Sequence, residues 1–199
     1  MDHHNFLRTR RSIRRFKPDP IPDPVIQKIL TTASFAPSAH NRQPWRFAVI
    51  MEQAIKNQLA DAMAEDFRRD LQRDHLPEEE IAARVEKSRA RINTSPLVII
   101  LCMDASEMDA YPDSRRAEAE RIMAIQSTAN AGLQFLLAAH AEGLGAVWTC
   151  GPLFAQETVQ GRLNLPKTWE PQAMFFVGYP LEIPEVRERK PIPDFAIFT

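Results

Sequence analysis

Cysteine, glycine and any imbalance of charge are scarce in this chain of 199 residues. The two cysteines, Cys102 and Cys150, each sit inside an apolar segment, which leaves neither a disulfide framework nor a CxxC metal clamp. Such usage fits a reducing, cytoplasmic setting. With 25 Lys+Arg against 26 Asp+Glu the formal net charge is −1. Nothing global therefore draws the chain to nucleic acid or to an anionic membrane. No apolar run approaches the ~18 residues of a membrane span, and the opening MDHHNFLRTR lacks the apolar core of a signal peptide. Among six glycines, Gly143 and Gly145 alone have dinucleotide-like spacing, but they follow a helical pattern and precede a strand, the reverse of the fingerprint's context. There is no GxxxxGK[ST] phosphate loop and no GxSxG elbow. His140-Ala-Glu142 matches half of a zinc deaminase signature without the PCxxC that completes it. No residue is assigned to a metal.

What is present is a globular composition, 44% apolar and 26% charged, in a length suited to one domain over residues 1–199. The first ten residues read as a short helix running into the basic stretch Arg8–Arg15. Alternate prolines extend Pro18–Pro24, and Asp23-Pro24 reads as an N-cap followed by proline at the first helical position. That helix stops near Ala36-Pro37. Trp45–Met51 and Pro96–Met103 read as strands. Between them a charged excursion at about 52–92 carries Leu59, Met63, Phe67, Ile81 and Val85 at helical spacings, with Pro77 dividing it into two lid-like helices. Asp113–Glu142 is the longest helical pattern, its apolar stripe drawn through Ile122, Ile125, Ala129, Leu133 and Leu136, and Gly143 stops it. Two further strands, Leu144–Cys150 and Ala173–Tyr179, flank a short helix from about Phe154 to Leu163. The proline-rich tail ends in apolar Phe195, Ile197 and Phe198. This order of elements indicates α+β rather than a regular βαβ alternation.

Two stretches carry chemical character. In extended backbone Arg10, Ser12 and Arg14 point to one side, a cation–hydroxyl–cation row suited to a phosphate or another anionic edge. The same residues also read as a solvated basic run or a nucleic-acid arm. The loop Ala36–Trp45 (APSAHNRQPW) packs small residues, a hydroxyl, amides and an imidazole between a helix and a strand. It suits a flat ligand rich in donors and acceptors. It equally suits a structural turn in which Ser38 or Asn41 caps backbone.

Taken together, RRSIRRF, APSAHNRQPWRF, GLGAVWTCGPLF, VGYP and RERKP lie in the order and spacing of the nitroreductase family of FMN enzymes, which this chain resembles along its whole length. Within that family FRRDLQRDHLPEEEIAARV, YPDSRRAEAERIM and LPKTWEP resemble the C-terminal flavin domain of the bifunctional enzyme that makes the deazaflavin coenzyme.

The resemblance implies an antiparallel sheet flanked by helices in a homodimer whose C-terminal segments are exchanged. It places Arg10, Ser12 and Arg189 on the FMN phosphate and Arg14 at the pyrimidine edge, with Arg11 contacting the flavin through its backbone. Pro37, Ser38 and Ala39 would line the ring from the opposite subunit, while Trp148, Thr149, Cys150 and Gly151 pass its reactive nitrogen. The flavin carries the chemistry, so no catalytic acid–base dyad is expected. His40, Asn41 and Arg42 fall in the variable part of the loop, with His40 a candidate to face substrate; Arg68 and Arg69 are candidates to meet an anionic one. The activity implied is ping-pong hydride transfer from NADH or NADPH to a small acceptor: a nitroaromatic, a quinone or an unsaturated coenzyme precursor. The alternatives are another flavin reaction (reductive dehalogenation or flavin fragmentation) and a non-enzymatic FMN-binding dimer.

Overall fold

A strand whose every residue is apolar can be satisfied only in the middle of a sheet covered on both faces. The segment β2 (Leu97–Asp104) is that strand, apolar from Leu97 to Met103 and buried along all eight residues. In the computed structural model, which describes residues 2–199, it pairs antiparallel with β1 (Trp45–Ile50) on one side and β4 (Trp169–Gly178) on the other. An antiparallel β3 (Gly145–Thr149) completes the order β1-β2-β4-β3.

Side chains alternate across a strand, so β2 and β4 feed two cores. Leu97, Ile99, Leu101, Phe175 and Val177 meet α2 (Asp23–Ala33) and α5 (Ser114–Ala141) on one face. Val98, Ile100, Met174 and Phe176 meet α3 (Gln53–Arg73), α4 (Glu78–Thr94) and α6 (Gln156–Leu163) on the other. Each fully buried Ile or Phe in these cores contributes about 1.5–3 kcal/mol. The result is an α+β fold in three layers.

The charged excursion forms two helices, with Pro77 as the N-cap of α4 and Glu78, Glu79 and Glu80 in the favourable first turn. Its inner half joins the sheet core through Leu59, Ala60 and Ile92. Its outer half has a small core of its own, Leu71, Ile81 and Val85. Lys56 is buried and donates to the Ser95 carbonyl at 2.8 Å, clamping α3 to the end of α4.

Four boundaries differ from expectation. Pro22 caps α2, its carbonyl accepting from Val25 and Ile26, so Asp23 and Pro24 occupy the first two helical positions, and the helix ends at Ala33. The Phe154 region is a 3₁₀ turn, Gly151–Phe154, and α6 begins only at Gln156. β4 starts at Trp169, where Pro171 sits at a register shift opposite Cys102. The core face of α5 is mostly small, Ala124, Ala131 and Gly132 beside Phe135; of the expected stripe Leu136 is buried, while Ile122, Ile125 and Leu133 are exposed. By length and composition α5 passes for a membrane span, but half of its apolar window is buried in this core. Gly143, at φ +74°, turns the chain from α5 into β3.

Candidate functional site

After α1 (His3–Thr9) the chain runs extended along the open edge of the sheet. Ser12 bridges in parallel to Ala146, and the Ile13 amide donates to the Ala146 carbonyl at 3.1 Å. Ile13 is buried on Gly145, so Arg10, Ser12 and Arg14 are left facing outward as a row. The start of the tail returns alongside, the Lys17 amide donating to the Tyr179 carbonyl and the Leu181 amide to that of Arg15. Row and tail enclose a cleft of about 190 Å³ lined by Arg10, Arg11, Ser12, Arg14, Arg187 and Arg189, with Glu185 as its acidic member.

None of these five arginines forms an ion pair among the described residues, whereas neighbouring Arg15 pairs with Glu182 at 3.3 Å. Arg11 turns back onto the Arg8 and Arg10 carbonyls, and Arg14 reaches the Ser12 carbonyl at 3.3 Å. Burial lowers the Arg10 pKa, and the positive charges of Arg11 and Arg189 lower it further. Five cations crowded against a single carboxylate, Glu185, fit a polyanionic group such as a phosphate. His140 lines an adjoining space together with Arg10 and Arg11. It stacks on Phe6 at 5.0 Å, and its Nε2 lies 3.1 Å from Thr9 Oγ1, so it anchors α1.

A second, larger cavity of about 420 Å³ opens between the α3–α4 pair and the sheet. Its apolar lining includes Met63, Phe67, Leu71, Phe154, Met174 and Phe176. Thr149 and Gly151 bound it at the end of β3, and Ser88 and Arg91 of α4 bound it opposite. A narrow cleft lined by Arg14, Arg91, Ser95, Val147, Thr149 and Phe176 lies between them, sharing Arg14 with the first and Arg91, Thr149 and Phe176 with the second. The cation row and the apolar cavity thus adjoin along one trough, with Arg14 and Arg91 at the junction.

The trough gathers Arg10, Arg11, Ser12, Arg14, Arg189, Thr149 and Gly151. Trp148 and Cys150 lie beside it. The Trp148 indole packs on the opposite face against Gly132 and, edge-on at 5.2 Å, Phe175; its Nε1 donates to the exposed Cys150 Sγ at 3.3 Å. Pro37, Ser38 and Ala39 are held on α5 instead. Asn130 Nδ2 donates to the Pro37 carbonyl at 3.3 Å, and the Ala39 amide donates to Ser127 Oγ at 3.1 Å. Ser38 Oγ accepts from the Gln43 amide, the structural turn foreseen for this loop.

The exposed His40, Asn41 and Gln43 all adopt left-handed backbone, at φ 49°, 55° and 51°, an uncommon concentration for non-glycine residues. Arg42 pairs with Asp109. Arg68 pairs with Glu78 and Arg69 with Asp66, and neither arginine lines the cavity.

Arg91 and Ser88 escaped the sequence reading. Arg91 did leave a signal: no Asp or Glu stands three or four positions away on its helix, whereas Arg84 has Glu80.

Residues 7–179 match the family described as the Nitroreductase family. A relative from Methanothermobacter thermautotrophicus, named a putative NADH dehydrogenase/NAD(P)H nitroreductase, is 31% identical over 94% of this chain and 82% of its own. The 5,6-dimethylbenzimidazole synthase of Rhodospirillum rubrum is 30% identical over 93% of this chain and 82% of its own. The fold matches a solved putative nitroreductase in complex with FMN from Desulfovibrio desulfuricans at a TM-score of 0.75 and 24% identity, covering 100% of this chain and 97% of that one.

Proposed function

The chain belongs to the nitroreductase family, and from that premise we propose that it is an FMN-dependent oxidoreductase that draws on NADH or NADPH to reduce a small acceptor. The observation that carries the reading is the continuity of the trough, from unpaired arginines through Arg14 and Arg91 into an apolar cavity. That sequence of surfaces complements a phosphate, a polar ring edge and a flat apolar ring in order. When bound, FMN supplies the hydride chemistry, accepting from the nicotinamide and passing to the acceptor in ping-pong fashion.

The protein's part is to bind, orient and tune. Arg10, Ser12 and Arg189 would hold the phosphate, two fixed cations and a hydroxyl for a dianion. Arg14, joined by Arg91, would stand at the pyrimidine edge, where positive charge stabilises the negative charge that reduction places there. Thr149 and Gly151 would face the ring along its edge, and the α3–α4 pair would close over it as a lid.

A homodimer completes the site in this reading. Pro37–Ala39 sit on α5 beside Ser127 and Asn130 and would reach the flavin of a second copy. The exposed stripe Ile122, Ile125 and Leu133 offers the apolar surface to join two chains, and the tail residues Ile183, Val186, Ile197 and Phe198 offer more, over 70% exposed each. The acceptor class spans nitroaromatics, quinones and, through the likeness to the deazaflavin-coenzyme domain, an unsaturated coenzyme precursor. The likeness to the 5,6-dimethylbenzimidazole synthase favours a second reading, consumption of reduced flavin with oxygen, which analysis of the flavin products under air separates from simple turnover.

The test is the visible spectrum of the purified protein during anaerobic addition of NADH or NADPH. Flavin bands that bleach support the oxidoreductase. A colourless protein that also takes up no added FMN overturns it and returns Arg10–Arg14 to an ordinary basic surface.

A further inference from the structure

The large cavity is polarised along its length. Its inner end carries Arg91, at the junction with Arg14. Its outer end carries Asp66 and Asp70 of α3 and Asp74 at that helix's C-cap, each about one turn from the last, beside the apolar residues Phe67, Leu71 and Phe154. Arg91 is thirteen residues into α4, roughly 20 Å along the helix from the turn that Asp74 opens, so the two ends do not neutralise each other.

The acidic residues are unequally compensated. Asp66, its side chain 13% exposed, pairs with Arg69. Asp70 meets Arg73 only at 3.5 Å. Asp74 has no cationic partner among the described residues, although it lines the cavity. The arginines that the sequence offers to an anionic substrate, Arg68 and Arg69, are held by Glu78 and Asp66 outside the lining.

Building on the flavin reading, we infer that this cavity selects its acceptor by charge: a flat apolar electron acceptor with a cationic substituent is favoured and an anionic one is rejected. Such a molecule lies with its reducible group toward Thr149 and Gly151 and its cation toward Asp70 and Asp74. With a nitroaromatic, one turnover oxidises one reduced nicotinamide and converts the nitro group to nitroso. Two electrons and two protons are transferred and one water is released. A unit charge near one partly solvated carboxylate changes selectivity by roughly tenfold, and two weakly compensated carboxylates act together here.

The experiment compares three nitrobenzenes para-substituted with aminomethyl (cationic at neutral pH), hydroxymethyl and carboxylate groups. Each kcat/KM on the holoenzyme is divided by the rate with free reduced FMN, which removes differences of intrinsic reactivity. The ratio of cationic to anionic substrate is expected to exceed about tenfold. It should fall by at least threefold in the double variant Asp70→Asn/Asp74→Asn, and rise in Arg69→Gln, which unmasks Asp66. Because the ratio is taken on one preparation, partial unfolding or flavin loss cancels from it. A flavin that turns over with a ratio at or below one overturns the charge selection alone. A protein that binds no FMN overturns the flavin reading and the selection together.

Discussion

Arginines on the outer faces of α3 and α4 and arginines in the N-terminal cleft look alike in the sequence, and the structure treats them oppositely. Arg68, Arg69, Arg84 and Arg89 each have a carboxylate partner, Arg89 at 2.6 Å from Asp61. Arg10, Arg11, Arg14, Arg187 and Arg189 crowd one cleft, and none of them is ion-paired among the described residues. A paired surface arginine contributes a few tenths of a kcal/mol and is screened by salt. A cluster of unpaired ones stores repulsion that only an incoming anion relieves. In the proposed reading function is carried by the charges that the fold leaves uncompensated, and the same rule picks out Arg91 and Asp74 in the cavity.

The sharpest way to break this comparison is to remove one arginine of each kind. Arg10→Ala deletes a charged donor from the cleft, a loss of about 2–3 kcal/mol, and FMN affinity read by fluorescence titration should drop on the order of 100-fold. Arg68→Ala should leave it within about twofold. Equal effects of the two substitutions would show that position in the cleft does not matter.

A large effect of a different kind tests the wall between the trough and α5. A Cβ at Gly132 would stand 2.3 Å from Trp148 Cζ3 and 2.9 Å from Leu101 Cδ2. The indole is backed by Phe175 and cannot swing away cheaply. Gly132→Ala should destabilise the protein by roughly 1–3 kcal/mol, a fall in Tm of about 2–10 °C by calorimetry. An unchanged Tm would mean that Trp148 is not held against α5 at all.

That contact also explains where the sequence was readable. β2, the division at Pro77 and the span of α5 were legible because each rests on local pattern: an unbroken apolar run, a helix breaker, and a cap with a stop. The core face of α5 was not. Of its conspicuous stripe only Leu136 is buried; Ile122, Ile125 and Leu133 are exposed, and the buried face sets small residues, Ala124, Ala131 and Gly132, around Phe135 so that the sheet can approach closely. Periodicity finds an apolar stripe without saying which layer it meets. β4 was shortened for a similar reason, since Pro171 looks like a strand breaker until a register shift accommodates it. In the candidate site, the Arg10–Arg14 row was legible from alternation along five residues. The cavity was not, because Met63, Arg91, Phe154 and Met174 come from four separate elements.

Salt distinguishes the two ends of the trough more gently. FMN affinity at the cation cleft should fall about fivefold between low and roughly molar ionic strength, as the Debye length shrinks from tens of Å to about 3 Å. The preference for a cationic acceptor should decline alongside it, while reduction of the neutral hydroxymethyl nitrobenzene holds steady. Affinity that ignores salt would remove the phosphate from the cleft.

The smallest effect is a pH dependence that belongs to the cationic end alone. Burial lowers the His140 pKa from its ordinary 6.5, and the charge of Arg10 adds to it. The unfolded chain therefore binds a proton more readily than the native one, so stability increases with pH through this group. The contribution is fully present above the unfolded value and is lost as pH falls below about 6.5. Replacing the ring by His140→Gln should flatten that part of the Tm–pH curve. Bound FMN should flatten it too, because a phosphate beside Arg10 offsets the charge that opposes protonation. A curve that remains as steep in the variant and in the holoprotein would place the acid sensitivity elsewhere, and would detach His140 from the electrostatics of Arg10 and Arg11.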